Sequence, residues 1–172
     1  MKNYKNYIYV DTETTGLQAD DELLSVSVLD DNQTCLFHSL IKPENKTEWT
    51  EAMKINGISP AMVKNAPRFS AVKEHLKDIF RDKDVVAYNM AFDSRFLDDT
   101  LSGASSLNCC MEAYAEYIRE PDTKHGNVWK WHKLINATEH CDPDFKFKAH
   151  DSLEDCRATR VVWHYLLEQT GD

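Results

Sequence analysis

Glycine and proline are scarce in this chain, five of each among 172 residues. Collagen-like repeats and flexible linkers need far more, so both are excluded. Apolar runs stop after a few residues, which excludes a membrane-spanning helix. Cysteine appears five times, at Cys35, Cys109, Cys110, Cys141 and Cys156, and an odd count without an export signal does not describe a disulfide framework. His125, His132, His140 and Cys141 lie in one stretch, but none of them forms a C-x-x-C or H-x-x-x-H pair, so a structural zinc is not expected. The opening Met1-Lys2-Asn3-Tyr4 lacks a leader pattern and runs into a strand-like segment; the expected compartment is the cytoplasm.

Positive charge is also in short supply. Twenty Lys and Arg against 29 Asp and Glu leave a net charge of −9. A protein that holds phosphates mainly with its own cationic side chains is usually basic. A protein that meets a polyanion through bound metal ions has no such need. The acidic runs Asp20-Asp21-Glu22 and Asp98-Asp99 read as solvated faces.

What is present is an ordinary globular composition, 42% hydrophobic and 28% charged, long enough for one good core, and a single domain over 1–172 is expected. Tyr7–Asp11, Leu23–Leu29 and Thr34–Ile41 read as three strands in quick succession, with Asp30-Asp31-Asn32 as a tight turn. Ser59-Pro60 can open a short helix. Phe69–Phe80 has helical spacing of apolar residues. Asp84–Tyr88 reads as a strand, Ala91–Leu101 as a helix, Ser106–Cys110 as a fifth strand and Met111–Ile118 as a helix. A loop over Arg119–Asn127, a short helix over Trp129–Ile135 and a long loop over Ala137–Lys148 are expected next. Asp151-Ser-Leu-Glu154 has a capping-box pattern that opens a last helix, which Gly171 would stop. This order predicts an α/β fold with a mixed sheet of about five strands, antiparallel first and parallel later.

Four carboxylates and a histidine stand in three separated fragments: Asp11-Thr-Glu13-Thr-Thr-Gly, Asn89-Met-Ala-Phe-Asp93 and His150-x-x-x-x-Asp155. In an extended chain Asp11 and Glu13 point to the same side. Asp93 lies just past a strand, so it can reach the same carboxyl edge, where sites of open α/β sheets lie. His150 and Asp155 would be about 140° apart if both were helical, so His150 is expected ahead of the helix. Four clustered carboxylates repel one another, and a divalent cation removes the conflict; oxygen donors select Mg²⁺ or Mn²⁺ over zinc. An imidazole beside them can take a proton from water, and together these groups supply what two-metal phosphodiester hydrolysis needs.

The three fragments resemble the Exo I, Exo II and Exo III motifs of the DEDDh exonucleases, the superfamily of the proofreading epsilon subunit of bacterial DNA polymerase III. The likeness extends to Asp11–Leu17, Asn56-Gly-Ile-Ser59, Asn89–Leu97 and His150–Ala158, and spans roughly residues 5 to 168. It implies a ribonuclease H-like fold and 3′ to 5′ release of nucleoside 5′-monophosphates. By position, the resemblance implies that Asp11 bridges two Mg²⁺ or Mn²⁺ ions, Glu13 and Asp155 complete one, Asp93 holds the other, and His150 is the base. It further implies a terminal-nucleotide pocket formed by Thr14, Leu17, Ile55, Asn56 and Phe92, with Leu17 wedged against a base. Asn56 stands where histidine is commoner in the family.

The resemblance leaves the polymer open: a single-stranded DNA 3′ end, or an RNA end as in oligoribonuclease or ribonuclease T, differing in how the pocket treats the 2′-hydroxyl. A proofreading module docked on a polymerase is a further reading. With the last helix expected to run nearly to Asp172, a tail like the one by which epsilon holds its polymerase is not expected. Trp129 and Trp131 beside Lys130 and Lys133 could stack on a single strand, but are expected to anchor a short helix to the core. Lys146 and Lys148 could steady a substrate backbone. Gln33-Thr-Cys-Leu-Phe37 resembles a sliding-clamp peptide, yet falls in an expected strand and is read as packed.

Overall fold

The computed structural model describes residues 6–171; the opening Met1-Lys2-Asn3-Tyr4 lies outside them. Strand β1 (Tyr7–Thr14) is central, β2 (Leu23–Asp30) pairs with it antiparallel and β3 (Cys35–Leu40) pairs with β2 antiparallel. On the other side β4 (Asp84–Ala87) and β5 (Ser106–Cys109) run parallel to β1. The order is β3-β2-β1-β4-β5, the mixed sheet expected. Strand β1 extends past Asp11 to Thr14, because β2 continues to pair with it as far as Leu23.

Alternation along β1 divides the core in two. Ile8 and Val10 face one side with Val26, Val28 and Val85, covered by Leu76 and Phe80 of α3 (Phe69–Phe80) and Met90 and Leu97 of α4 (Met90–Leu97). Tyr7 and Tyr9 face the other side with Leu29 and Val86. That side is covered by Cys110, Met111 and Tyr114 of α5 (Cys110–Ile118), Ala137 of α6 (Leu134–Cys141), and Cys156, Val162 and Leu166 of α7 (Ser152–Thr170). A fully buried Leu or Val side chain is worth about 1.5–3 kcal/mol, so the two faces carry most of the stabilisation. A smaller cluster of Leu24, Trp49, Ile58 and Val63 seats α1 (Thr50–Asn56) and α2 (Pro60–Val63) near the β1–β2 end of the sheet, with Trp49 Nε1 donating to the Ile58 carbonyl at 2.6 Å.

The structure departs from expectation at several places. Helix α1 was not foreseen: none of its residues is buried, so it has no full apolar stripe. The helix expected over Ala91–Leu101 ends at Leu97, where Asp98 has φ 52°, and continues as a 3-10 turn over Asp98–Gly103. The helix expected over Trp129–Ile135 starts only at Leu134 and runs on to Cys141 as α6, so the loop expected over Ala137–Lys148 begins only at Asp142 and holds from there to Lys148. Trp129 instead forms an antiparallel bridge with Pro121, Trp131 is 45% exposed, and Ala137 and Thr138 are the residues that α6 buries. The tryptophans therefore do not anchor a helix; Trp129 Nε1 donates to Glu116 of α5. The Gln33–Phe37 segment lies in the β2–β3 hairpin, where Phe37 packs on the core. All five cysteines are free. Among the described residues no helix is long and apolar enough to cross a membrane.

Candidate active site

The carboxyl edge of β1 and β4 carries the acidic groups. Asp11 and Glu13 leave the same face of β1, the one that α7 covers. Asp93 comes from α4, whose start is set by Asn89: its side chain accepts from the Phe92 N–H at 3.4 Å. Thr12 then donates its hydroxyl to Asp93 Oδ1 at 2.8 Å, fixing that carboxylate over β1. Helix α7 opens as expected on Asp151, which accepts from the Glu154 N–H; Glu154 itself pairs with Arg157. This puts Asp155 in the first turn, buried against the sheet.

His150 precedes the helix, as expected, and is exposed. Its φ of 63° is left-handed, a region where histidine is tolerated better than most residues. The strain is held by its N–H, which donates to Asp155 Oδ2 at 3.0 Å. Asp155 Oδ1 is buried with no hydrogen-bond partner among the described residues. Glu13, His150 and Asp155 each place a ligand atom within 4.8 Å of the others. Asp11 and Asp93 stand outside that tight group but share its field.

The field is unfavourable to negative charge. Burial first, then Asp93, Asp155 and Glu13, hold the Asp11 carboxyl well above its usual range. Burial and then Asp155 and Asp93 push Glu13 up to about 8, against a hydrogen bond from Asn56. Burial pushes Asp93 up to about 7 despite the Thr12 hydroxyl, and Asp155 up to about 7 despite the His150 N–H. Repelling oxygens, one of them orphaned, fit a hard divalent cation; residues Glu13 and Asp155 would hold it, with Asp11 and Asp93 beside them.

The same shifts predict how the metal-free protein responds to pH. Folded Glu13, Asp93 and Asp155 keep protons up to about pH 7 to 8, whereas the unfolded chain releases them near the ordinary values of 4.5 for Glu and 3.8 for Asp. The folded state binds more protons across that window, so its stability falls as pH rises through it. In EDTA, Tm is expected to be lower at pH 8.5 than at pH 6, and Mn²⁺ at pH 8.5 should restore it. Calorimetry showing a rise in Tm over that interval in EDTA would contradict the clustering.

All ten site residues expected from the sequence line one cleft of about 790 Å³, a size that accepts a nucleotide. Its rim is apolar, with Leu17 73% and Ile55 62% exposed and Phe92 half-buried. Gly16 permits the turn that presents Leu17: a Cβ there would meet the Asp21 carboxylate at 2.4–2.9 Å. Thr14 donates to the Gly16 carbonyl at 2.7 Å. Asn56 donates to the Thr14 carbonyl at 3.2 Å and accepts from the Ile58 N–H at 3.0 Å, so it ties α1 to the end of β1 at Thr14.

Sequence reasoning missed several contributors. Arg95 donates to the carbonyls of Leu17 and Gln18 and lies over the Phe92 ring, so it orders two sides of the rim. Phe147 and Ile135 also line the cleft. Lys133 is the one Lys or Arg among the described residues lining it. Tyr88 donates to the His132 carbonyl at 2.7 Å and holds the segment that delivers it. Lys146 and Lys148 do not line the cleft; Lys146 donates to the Pro143 carbonyl and Lys148 lies 4.0 Å from Asp151.

Comparison with known proteins gives the family. Residues 8–162 match the family described as Exonuclease. An uncharacterised exonuclease, CP81, of Escherichia phage 186 is 36% identical over 164 residues, covering 88% of this chain and 83% of that protein. The DNA polymerase III subunit epsilon of Rickettsia typhi is 33% identical over 101 residues, 55% of this chain and 44% of that subunit. Exonuclease X, solved in complex with 5′ overhanging duplex DNA, shares the fold with a TM-score of 0.68 at 23% identity, over 96% of this chain and 93% of that one. The chain therefore belongs to the exonuclease family and is a nuclease.

Proposed function

We propose that the protein removes nucleoside 5′-monophosphates one at a time from the 3′ end of DNA, mainly single-stranded, with two Mg²⁺ or Mn²⁺ ions. The observation that carries the reading is the meeting of Asp11, Glu13, Asp93, Asp155 and His150 in one cleft rimmed by Leu17, Ile55 and Phe92. Support for DNA comes from the likeness to the DNA polymerase III epsilon subunit and from the DNA held by exonuclease X.

In this reading the rim residues take the terminal base, with Leu17 against its face and Phe92 opposite. Asn56 and the Thr14 turn hold the sugar. Asp11, Glu13, Asp93 and Asp155 hold the cations, which when bound stabilise charge on the attacking and leaving oxygens. A ring nitrogen of His150 accepts the proton of the attacking water. The water oxygen bonds to phosphorus as the bond to the neighbouring 3′-oxygen breaks. That oxygen takes a proton from a solvent water and leaves as the new 3′-hydroxyl of the shortened strand. His150 then loses its proton to bulk solvent, to which it is exposed.

Lys133 faces the same cleft without a rival cation, so it is assigned a phosphate of the strand. Lys133→Ala is expected to raise KM about threefold to fivefold, the size of one exposed ion pair, with kcat nearly unchanged. The salt dependence of KM should become shallower. An unchanged KM and salt slope would remove Lys133 from the binding surface.

The reading is tested by products. A 5′-labelled DNA oligomer with Mg²⁺ or Mn²⁺ should give a ladder shortened from the 3′ end, with mononucleotides released and no cutting in EDTA. A matched RNA oligomer degraded faster than DNA would replace the DNA assignment with an exoribonuclease. Internal cuts, or cutting that survives EDTA, would defeat the proposal.

A further inference from the structure

Beneath the first turn of α7 lies a polar network that none of these roles uses. Ser25 and Ser27 sit on β2 directly opposite Glu13 and Asp11 of β1, so their side chains share the face of the two carboxylates. Both hydroxyls meet Ser152, the first residue of α7: Ser25 Oγ to Ser152 Oγ is 2.8 Å and Ser27 Oγ to Ser152 Oγ is 2.7 Å. Ser27 Oγ also lies 2.8 Å from His38 Nδ1 on β3. The three serines are 3%, 0% and 2% exposed, between the two carboxylates and the apolar layer of Tyr7, Tyr9 and Leu29. Most buried hydroxyls are paired, and here three protons serve three contacts: Ser25 to Ser152, Ser152 to Ser27, and Ser27 to His38.

The position of Ser152 gives the network a use. It lies between His150 and Asp155 in the chain, and the His150 N–H is bound to the Asp155 carboxylate. One turn on, Cys156 Sγ rests on the carbonyls of Tyr9 and Ser27 at 3.5 and 3.4 Å. A hydroxyl clasped by two serines of one strand resists sliding along that strand, which apolar packing alone does not. We propose that Ser152, held by Ser25 and Ser27, is a positioning residue that sets the register of α7 on the sheet, and so the spacing of His150 and Asp155 from Glu13. The inference rests on the proposed hydrolytic site and concerns how that site is held.

Three proteins test it: wild type, Ser152→Ala, and the triple variant Ser25→Ala/Ser27→Ala/Ser152→Ala. The single variant leaves Ser25 without its partner. The triple variant removes the unpaired hydroxyls and should regain Tm in EDTA. Mn²⁺ affinity by titration calorimetry is expected to weaken about tenfold in both variants, and kcat to fall about tenfold or more with KM within twofold. Recovery of Mn²⁺ affinity and kcat together with Tm in the triple variant would make the serines structural only and overturn the inference, as would wild-type affinity and kcat in Ser152→Ala. A wild-type protein that binds Mn²⁺ but degrades no 3′ end would defeat the proposed function; the comparison of affinities would still decide the role of Ser152.

Discussion

Asp11→Asn is expected to lower kcat about a thousandfold or more while leaving a folded and no less stable protein. Asp11 lies on β1 between Asp93, Asp155 and Glu13, whose charges add to burial in holding its carboxyl well above its usual range. Asparagine keeps the shape and removes the charge that binds the cations. A thousandfold loss corresponds to about 4 kcal/mol of transition-state stabilisation, within the several kcal/mol that metal ions supply. The effect on stability should have the opposite sign, because one repelling charge is gone. In EDTA at pH 8.5, Tm is expected to rise by a few degrees, at roughly 2–4 °C per kcal/mol for a domain of this size. Loss of activity with a gain in Tm separates a lost ligand from a damaged fold. Turnover near wild type would remove Asp11 from the centre of the mechanism.

Replacing His150 should cost about a hundredfold to ten-thousandfold in kcat, the usual contribution of a general base, with KM little changed. The backbone complicates alanine here. At φ 63° alanine is strained, whereas asparagine tolerates the left-handed region. His150→Asn thus keeps the turn and the N–H that holds Asp155, and removes only the proton acceptor. Both variants should fall together, and their residual rates should rise with pH as hydroxide replaces the missing base. An inactive alanine variant beside a near-normal asparagine variant would show that His150 serves through its backbone.

Much of this was legible in the sequence for identifiable reasons. Strands β1, β2 and β4 announce themselves because each has apolar residues buried against a helix layer, and α7 announces itself through Asp151 at one end and Gly171 at the other. The acids are legible because strand alternation and helix caps place side chains locally: Asn89 sets α4 and so Asp93, and Asp151 sets α7 and so Asp155. Helix α6 was misplaced because Trp129 and Trp131 drew the apolar signal. Its real face uses Leu134, Ala137, Thr138 and Cys141, at helical spacing but with small or polar members. Lys133, Arg95 and Phe147 were missed because their places in the cleft come from tertiary contacts, such as the Tyr88 bond to the His132 carbonyl, that no local pattern records. The serine clasp was hidden similarly: 125 and 127 residues separate Ser27 and Ser25 from Ser152.

In this account side chains from β1, α4 and α7 form one cation-binding centre. Anomalous diffraction at the manganese edge, from crystals soaked in Mn²⁺, tests it most directly. Two peaks are predicted in the cleft, ligated by Asp11, Glu13, Asp93 and Asp155, with His150 beside them. Manganese bound elsewhere, with these four carboxylates bare at saturating Mn²⁺ and pH 8.5, would contradict it.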